Sequence, residues 1–518
     1  MPVFKNPIEK CFNKLTRYHY YSFFLIFLSK LPIFWHILSL IFLSPPMDYE
    51  CAVSKYNSTK NTCPCEYPVW DTSVFIETLQ TKFSVVCDST WLISFSQSIL
   101  YVGTLIGSLT FGFLADRYGR LSMFSTCCFI LAVAGCLVSI MPDVTSFIIM
   151  RCLEGFGLGG TIVTAYVLVV EYCGVSHRET VTALFHIPIN LSHMTLAGIP
   201  FIFQDPRVRI VCIMDNKADL LLCLGISYLL RDCDEFQLAI SLPVILFVAL
   251  NWLVMESPKW LMDNDDINKA VNVMERISNF NKKPYENIRN EIEAYHAEQV
   301  NKAHVKITFW KIFKHKKLSL NLICMSIIYF ICGMGYYGVS QYIGKMSGDI
   351  HTNVAISGAL LLPGTIAAIF LLKILNRRTF LIATNFLSGV FMLIVVSFPK
   401  SWIWCRVVAA CICNCFYFMS FIIVFLYGVE LFPTSTRNSV LGFLSFLSRV
   451  GQIVAPPINA LPEMVSGCIF GIAAILGAVV CYPLPETKNT ELPSSLEDTK
   501  IISGRRTTQQ ENLDIQVQ

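Results

Sequence analysis

Gly112-Phe113-Leu114-Ala115-Asp116-Arg117-Tyr118-Gly119-Arg120 separates two long apolar runs, 91–114 and 121–141. Glycines in such a place let two helices approach and turn tightly. An acid and two bases beside them can form a charged latch where the chain leaves the apolar phase. A carboxylate such as Asp116 can also lie at the positive N-terminal end of a neighbouring helix. A short basic loop that merely fixes topology needs no such ordered string. The stretch reads as a working joint between two membrane helices.

Its flanks set the scale for the rest. A helix needs about 20 mostly apolar residues to cross a bilayer, and further runs of that size lie near 20–43, 146–170, 179–200, 236–255, 318–342, 352–372, 379–398, 402–427, 438–461 and 464–484. The expected fold is an all-α integral membrane protein with twelve transmembrane helices. The runs are continuous rather than alternating, which excludes a β-barrel. Composition agrees: of 518 residues 54% are hydrophobic and 15% charged, with a mean hydropathy of +0.56. That is far from a soluble domain's usage, and a net charge of +4 gives no reason to expect a nucleic-acid partner.

Lys and Arg set the orientation. With the N-terminus inside, 27 of the 40 fall on the cytoplasmic side and 9 outside, the remainder being Lys30, Arg151, Arg406 and Arg449 within spans. Both termini are expected in the cytoplasm: a short N-terminus, 1–19, and a polar tail, 485–518. Six spans (20–255) precede a polar, basic bridge (256–317) and six (318–484) follow it. Ile267, Ala270, Val271, Met274 and Ile277 recur at helical spacing in the bridge, as do Ile288, Ile292 and Tyr295, so amphipathic helices are expected there. Six plus six spans suggest two repeats rocking about a central site.

The outer loop 44–90 carries Cys51, Cys63, Cys65 and Cys87. Four cysteines on an outward face read as two disulfides, with three possible pairings. Cys63-Pro64-Cys65 lacks the spacing of a zinc site. Asn57-Ser58-Thr59 is a glycosylation acceptor in the same loop.

The joint, with Gly112, Asp116, Arg117, Gly119 and Arg120, resembles the signature loop of the major facilitator superfamily. Arg151-Cys152-Leu153-Glu154-Gly155 is similar to its fourth-helix motif. Glu256-Ser257-Pro258-Lys259-Trp260-Leu261 follows span six, Glu430-Leu431-Phe432-Pro433-Thr434-Ser435-Thr436-Arg437 follows span ten, and Pro485-Glu486-Thr487-Lys488 follows span twelve. Sugar porters share several of these. Trp70-Asp71-Thr72-Ser73 and Val86-Cys87-Asp88 resemble instead the outer loop of the organic cation, anion and zwitterion transporters, and that resemblance runs from about residue 20 to 498. It implies a polyspecific carrier of small organic ions in the plasma membrane, working by alternating access, with a cavity lined by aromatic rings and a few charges. Glu430 and Arg437 join the gating set by the same resemblance.

Charge inside a bilayer is costly and usually functional. Arg449 lies deep in span eleven, where a guanidinium suits a carboxylate or sulfate. The resemblance implies an anionic or zwitterionic substrate, because cation carriers of this family have Asp there. Tyr336 and Tyr337 match the family's aromatic pair; Phe421 and Phe425, four apart, match its cavity-lining rings. Arg151 and Glu154 are three apart and read as an intramembrane charge pair, with proton coupling as the sharper alternative.

Several features depart from the family. Asn414 stands where a base is common, Thr365 where anion carriers have Lys, and Leu361 in place of an acid. The second copy of the joint is reduced to Asn376-Arg377-Arg378. These losses shift the expectation toward zwitterions or neutral amphiphiles and motivate a transport-dead scaffold or receptor as one alternative; an organic cation carrier is the other. Residues 199–225 carry charges that suit no span and read as an insertion. No nucleophile–base pair, metal cluster or nucleotide loop points to an enzyme or a cofactor. Gly155-Phe156-Gly157-Leu158-Gly159-Gly160 lies inside a hydrophobic span, where close helix packing explains it better than a dinucleotide. Oligomeric state is left open.

Overall fold

The computed structural model describes residues 7–45, 47–52, 58–61, 63, 65, 68–72, 75, 77–174, 177, 180–181, 184–197, 233–282, 287–300, 315–432 and 434–488. The chain divides into two units, Met1–His304 and Val305–Gln518. The division falls inside the stretch read as the bridge.

In the first unit, α1 (Pro7–Phe12) and α2 (Arg17–Leu43) lead into a small antiparallel sheet. Its strands β1 (Tyr49–Ala52), β2 (Ser58–Lys60) and β3 (Pro68–Trp70) run in the order β2-β1-β3, with Cys51 opposite Thr59 and Pro68. Disulfides join Cys51 to Cys65 and Cys63 to Cys87, selecting one of the three pairings. Three long helices follow: α3 (Trp91–Tyr118), α4 (Arg120–Ser139) and α5 (Val144–Glu171). Asp143 caps α5 by accepting the Ser146 N–H at 2.9 Å, which satisfies one of the orphan donors of a helix start.

Glycine explains how α3 and α5 pack. A Cβ on Gly103 or Gly107 would lie 2.1 or 2.0 Å from the carbonyl oxygen of Cys152 or Phe156. On Gly155 or Gly159 it would lie 2.0 or 2.1 Å from that of Leu100 or Thr104. The two backbones touch, as small-residue helix pairs do in membranes. The glycine-rich run of α5 is therefore a packing surface.

Next come α6 (Ile187–Ala197) and α7 (Cys233–Leu246), the latter continued by a 3-10 turn, Phe247–Ala249, and a last helical turn, Leu250–Leu253. At 1.5 Å per residue the eleven residues of α6 reach only about 16 Å, short of a hydrocarbon core of about 30 Å. The fifth expected span is thus only partly described, and the proposed insertion 199–225 lies outside the described residues. Among the described residues, eleven helices are long and apolar enough to cross a membrane.

Three helices complete the unit: α8 (Pro258–Asp263), α9 (Ile267–Asn281) and α10 (Ile288–Val300). Pro258 opens α8 at a position where its missing N–H costs nothing. On α9, Ala270, Val271, Met274 and Ile277 are fully buried, and Asn281 accepts the Tyr18 N–H at 2.9 Å.

The second unit contains α11 (Lys316–Lys345), α12 (Ile350–Ile374), α13 (Arg377–Ser397), α14 (Ile403–Leu431), α15 (Thr434–Asn459) and α16 (Glu463–Val480). Here α11 and α15 repeat the backbone contact: Cβ atoms on Gly333 and Gly451 would meet Ser448 O at 2.2 Å and Phe330 O at 2.3 Å.

Candidate functional site

The joint that opened the sequence is held by carboxylates from distant segments. Gly119 ends α3 at φ +106°, a left-handed value that favours glycine. A Cβ there would also meet Glu256 Oε2 at 2.5 Å. Glu256 lies across the start of α4 and accepts the backbone N–H groups of Arg120 (3.1 Å), Leu121 (3.0 Å) and Ser122 (3.4 Å). An anion in this position satisfies orphan donors and the helix dipole together. Arg120 pairs with Asp116 at 2.6 Å and with Glu171, at the end of α5, at 3.2 Å. Tyr172 donates to the carbonyl of Met255, just before Glu256, and Ser257 hydrogen-bonds Glu171. Trp260 Nε1 donates to Asp116 O at 2.7 Å.

Arg117 is exposed, with its guanidinium 5.5 Å from the Tyr118 ring centroid. Gly112 differs from expectation. Among the described residues, a Cβ there would meet nothing within 4 Å, so no close helix approach within this unit requires it.

The second unit holds the same device on a stripped loop. Glu486 accepts the N–H groups of Arg377 (2.8 Å) and Arg378 (3.1 Å) at the start of α13. Arg377 pairs with Glu430, near the end of α14, at 3.3 Å. Tyr427 donates to the carbonyl of Pro485, just before Glu486, and Thr487 donates to Glu430 at 2.6 Å. Glu256, Tyr172 and Glu171 thus answer to Glu486, Tyr427 and Glu430. The loop lacks the glycine and the acid and keeps the arginine, the acid at the neighbouring helix end and the carboxylate at the helix start. Arg437 lies in the first turn of α15.

Deep in the first unit, six polar side chains from four helices meet, none more than 1% exposed. Arg151 donates to Glu154 Oε2 at 3.0 Å, to Ser39 Oγ at 3.1 Å and to Gln97 Oε1 at 2.8 Å. The other carboxylate oxygen of Glu154 lies 2.5 Å from His36 Nδ1 and accepts from Gln237 Nε2 at 3.1 Å. Burial of this kind is tolerated when charge is paired and hydrogen-bonded. The i,i+3 spacing pointed to Arg151 and Glu154; His36, Gln97 and Gln237 carried no local signal.

In the second unit the aromatic residues form one continuous cluster. Tyr336 packs on Tyr337 and Phe418 (4.9 Å between centroids in each case) and on Phe421 (5.8 Å). Phe421 packs on Phe425 at 5.1 Å, and Phe425 on Tyr329 at 5.1 Å. Tyr336 is buried, whereas Phe421 and Phe425 are half-buried. Arg449, also half-buried, donates to Gln452 Oε1 at 3.2 Å and lies within electrostatic reach of Tyr337. Glu463, the acid nearest it in sequence, pairs with Arg406 at 2.5 Å. Asn414 is buried between Ser357 (3.2 Å) and Ser340 (3.3 Å), and Thr365 donates to Leu361 O at 2.9 Å. Lys30, the remaining base within a span, donates to Phe185 O at 2.8 Å. Asn57 lies outside the described residues.

The sugar (and other) transporter family matches residues 26–495. Solute carrier family 22 member 3 of Mus musculus is 30% identical over 428 residues, covering 82% of this chain and 72% of its own length. The organic cation transporter protein of Drosophila melanogaster is 27% identical over 85% of this chain and 77% of its own. Organic anion transporter 3 of Homo sapiens is 27% identical over 86% and 75%. Among solved structures, the inward-open xylose transporter XylE from E. coli superposes with a TM-score of 0.65 at 15% identity, over 92% of this chain and 98% of that one.

Proposed function

This chain belongs to the sugar (and other) transporter family and to solute carrier family 22, it is a multi-pass membrane transporter rather than an enzyme, and we propose that it carries small organic anions or zwitterions across the plasma membrane by alternating access, with both termini in the cytoplasm. Relatives named for organic cations and for organic anions match it about equally well, so the choice rests on this chain's own residues. The observation that carries it is Arg449, a fixed positive charge within a membrane helix, beside the wall made by Tyr336, Tyr337, Phe421 and Phe425. A guanidinium offers a carboxylate or sulfonate two parallel hydrogen bonds, and the rings suit a flat apolar body. The neutral Asn414 and Thr365 leave the vicinity modestly charged, which favours a single negative group or a zwitterion over a dianion.

In this reading the two carboxylate-capped joints are the gates. Each holds an arginine at the start of one helix to an acid at the end of another, and substrate movement requires such contacts to exchange. The test is uptake of a labelled aromatic carboxylate, carnitine and a quaternary ammonium by cells expressing the wild type or Arg449→Ala at matched surface level. Anion or zwitterion uptake that falls at least tenfold in the variant supports the assignment. Uptake of the quaternary ammonium that survives the substitution overturns it and favours the cation reading. A protein at the surface that moves none of the three favours a transport-dead descendant.

A further inference from the structure

The buried network of the first unit contains more than charge pairing requires. Arg151 and Glu154 already neutralise each other at 3.0 Å. A third titratable group, His36, is added at 2.5 Å from the same carboxylate. An ionised Glu154 beside Arg151 has no proton to give, so its contact with His36 Nδ1 is a hydrogen bond donated by the imidazole. That fixes the tautomer and leaves the lone pair on Nε2. Among the described residues, His36 Nε2 is buried and has no hydrogen-bond partner. The ring lies against Gly135, where a Cβ would come within 3.0 Å of His36 Cε1 and 2.4 Å of Ser241 Oγ.

Other titratable groups on the helices packed against α2 are engaged elsewhere. His193 on α6 lies 3.0 Å from Ile189 O. On α7, Asp234 pairs with Lys82 and Glu235 is exposed. At the far end of α5, Glu171 pairs with Arg120. On α9, Lys269 pairs with Asp266, and Glu275, Arg276 and Lys282 are exposed. On α2 itself, Lys30 donates to Phe185 O, and His19 accepts at Nδ1 from the Thr16 N–H. Among the described residues, the charged groups joined to His36 by hydrogen bonds are Glu154 and, through it, Arg151.

We infer that His36, held by Glu154, is a proton-binding site within the membrane, and that each transport cycle carries one proton together with one anion. The second clause rests on the carrier reading above. With His36 neutral, the network has no net charge: one positive Arg151 and one negative Glu154. A proton on Nε2 converts imidazole to imidazolium, changes the network to +1 and keeps the Nδ1 hydrogen bond. On this proposal the +1 added by the proton is matched in each cycle by the −1 of the substrate, so proton and anion load together and leave together. Intramembrane His and Glu chains are the usual material of proton relays, and histidine is the side chain whose ordinary titration spans pH 5 to 8.

The purified protein is reconstituted in vesicles, pH 7.5 inside and 6.5 or 7.5 outside, and supplied with labelled naphthalenesulfonate, which stays ionised and does not cross lipid as a neutral acid. One proton per anion converts a gradient of one pH unit into about tenfold accumulation. The wild type should reach that ratio, and His36→Asn, which keeps an amide donor toward Glu154, should equilibrate without accumulating. Wild-type uptake that ignores the gradient overturns the coupling and leaves the carrier reading intact. Absence of any uptake counts against the carrier reading for this anion, and a substrate-free measurement then decides the site. Infrared difference spectra between pH 8 and 5, on protein with ring-15N histidine, should show one more imidazolium in the wild type than in His36→Asn. Identical spectra in wild type and His36→Asn overturn the site.

Discussion

Replacing Glu256 by alanine removes the acceptor for three consecutive backbone N–H groups at the start of α4, at 3.1, 3.0 and 3.4 Å. Loss of a helix N-cap acceptor costs about 1 kcal/mol. Loss of a carboxylate at the positive end of the helix dipole adds about 0.3–1 kcal/mol. The sum, about 1.3–2 kcal/mol, is a factor of about 10–30 in the local opening equilibrium. Glu486→Ala removes the acceptor for only two donors at the start of α13, at 2.8 and 3.1 Å. With one donor fewer to release, its effect should lie at the lower end of that range, about tenfold. The assay is amide hydrogen exchange by mass spectrometry, read over 119–126 and 376–382 in each variant. Each substitution should accelerate exchange at its own helix start and leave the other unchanged. Exchange at 119–126 within threefold of wild type in Glu256→Ala would refute the view that this carboxylate holds the helix end.

Two further outcomes follow from packing and connectivity. Gly155→Ala places a methyl 2.0 Å from the Leu100 carbonyl oxygen, a backbone atom that cannot turn aside, so folded protein at the surface should fall severalfold. Gly442→Ala, where a Cβ meets nothing within 4 Å, should leave the level unchanged, and equal losses in both variants would sink the packing argument. Non-reducing peptide mapping should recover Cys51 linked to Cys65 and Cys63 linked to Cys87. Recovery of a Cys51–Cys63 peptide from folded protein would contradict the pairing described.

The membrane helices were legible because a hydrocarbon core of about 30 Å admits few solutions. The apolar stripe of α9 was legible from its spacing for a related reason, since one face must be hidden. The contacts of the joint were harder to read. Glu171, Glu256 and Glu486 each end an apolar run, where an acid looks like an ordinary interfacial residue. Their partners lie 51, 136 and 109 residues away, beyond any local pattern. For the same reason Asn376-Arg377-Arg378 read as a degraded copy: the part that persists, Glu430 and Glu486, is contributed by other segments. The intramembrane network shows the contrast within one cluster. Arg151 and Glu154 share a helix face and announce each other. His36 stands alone in an apolar run, 118 residues from the carboxylate it meets, and a lone buried histidine more often reads as core. Arg449, Tyr336, Tyr337, Phe421 and Phe425 were chosen through family resemblance. Their geometry joins the rings and leaves the substrate to experiment.

The backbone contact between α3 and α5 has a mechanical consequence. Gly103 and Gly107 are one helical turn apart, as are Gly155 and Gly159, and each faces a carbonyl of the other helix. The two rods therefore mesh like a rack and pinion with teeth one turn apart. A slip of one residue drives Thr104 or Phe156 into a gap that holds only hydrogen, so the step that restores the register is four residues, about 6 Å. The pair is a stiff spar, and bending during a working stroke falls to its ends, where the chain turns through Gly119 and carboxylates hold the start of the next helix in place.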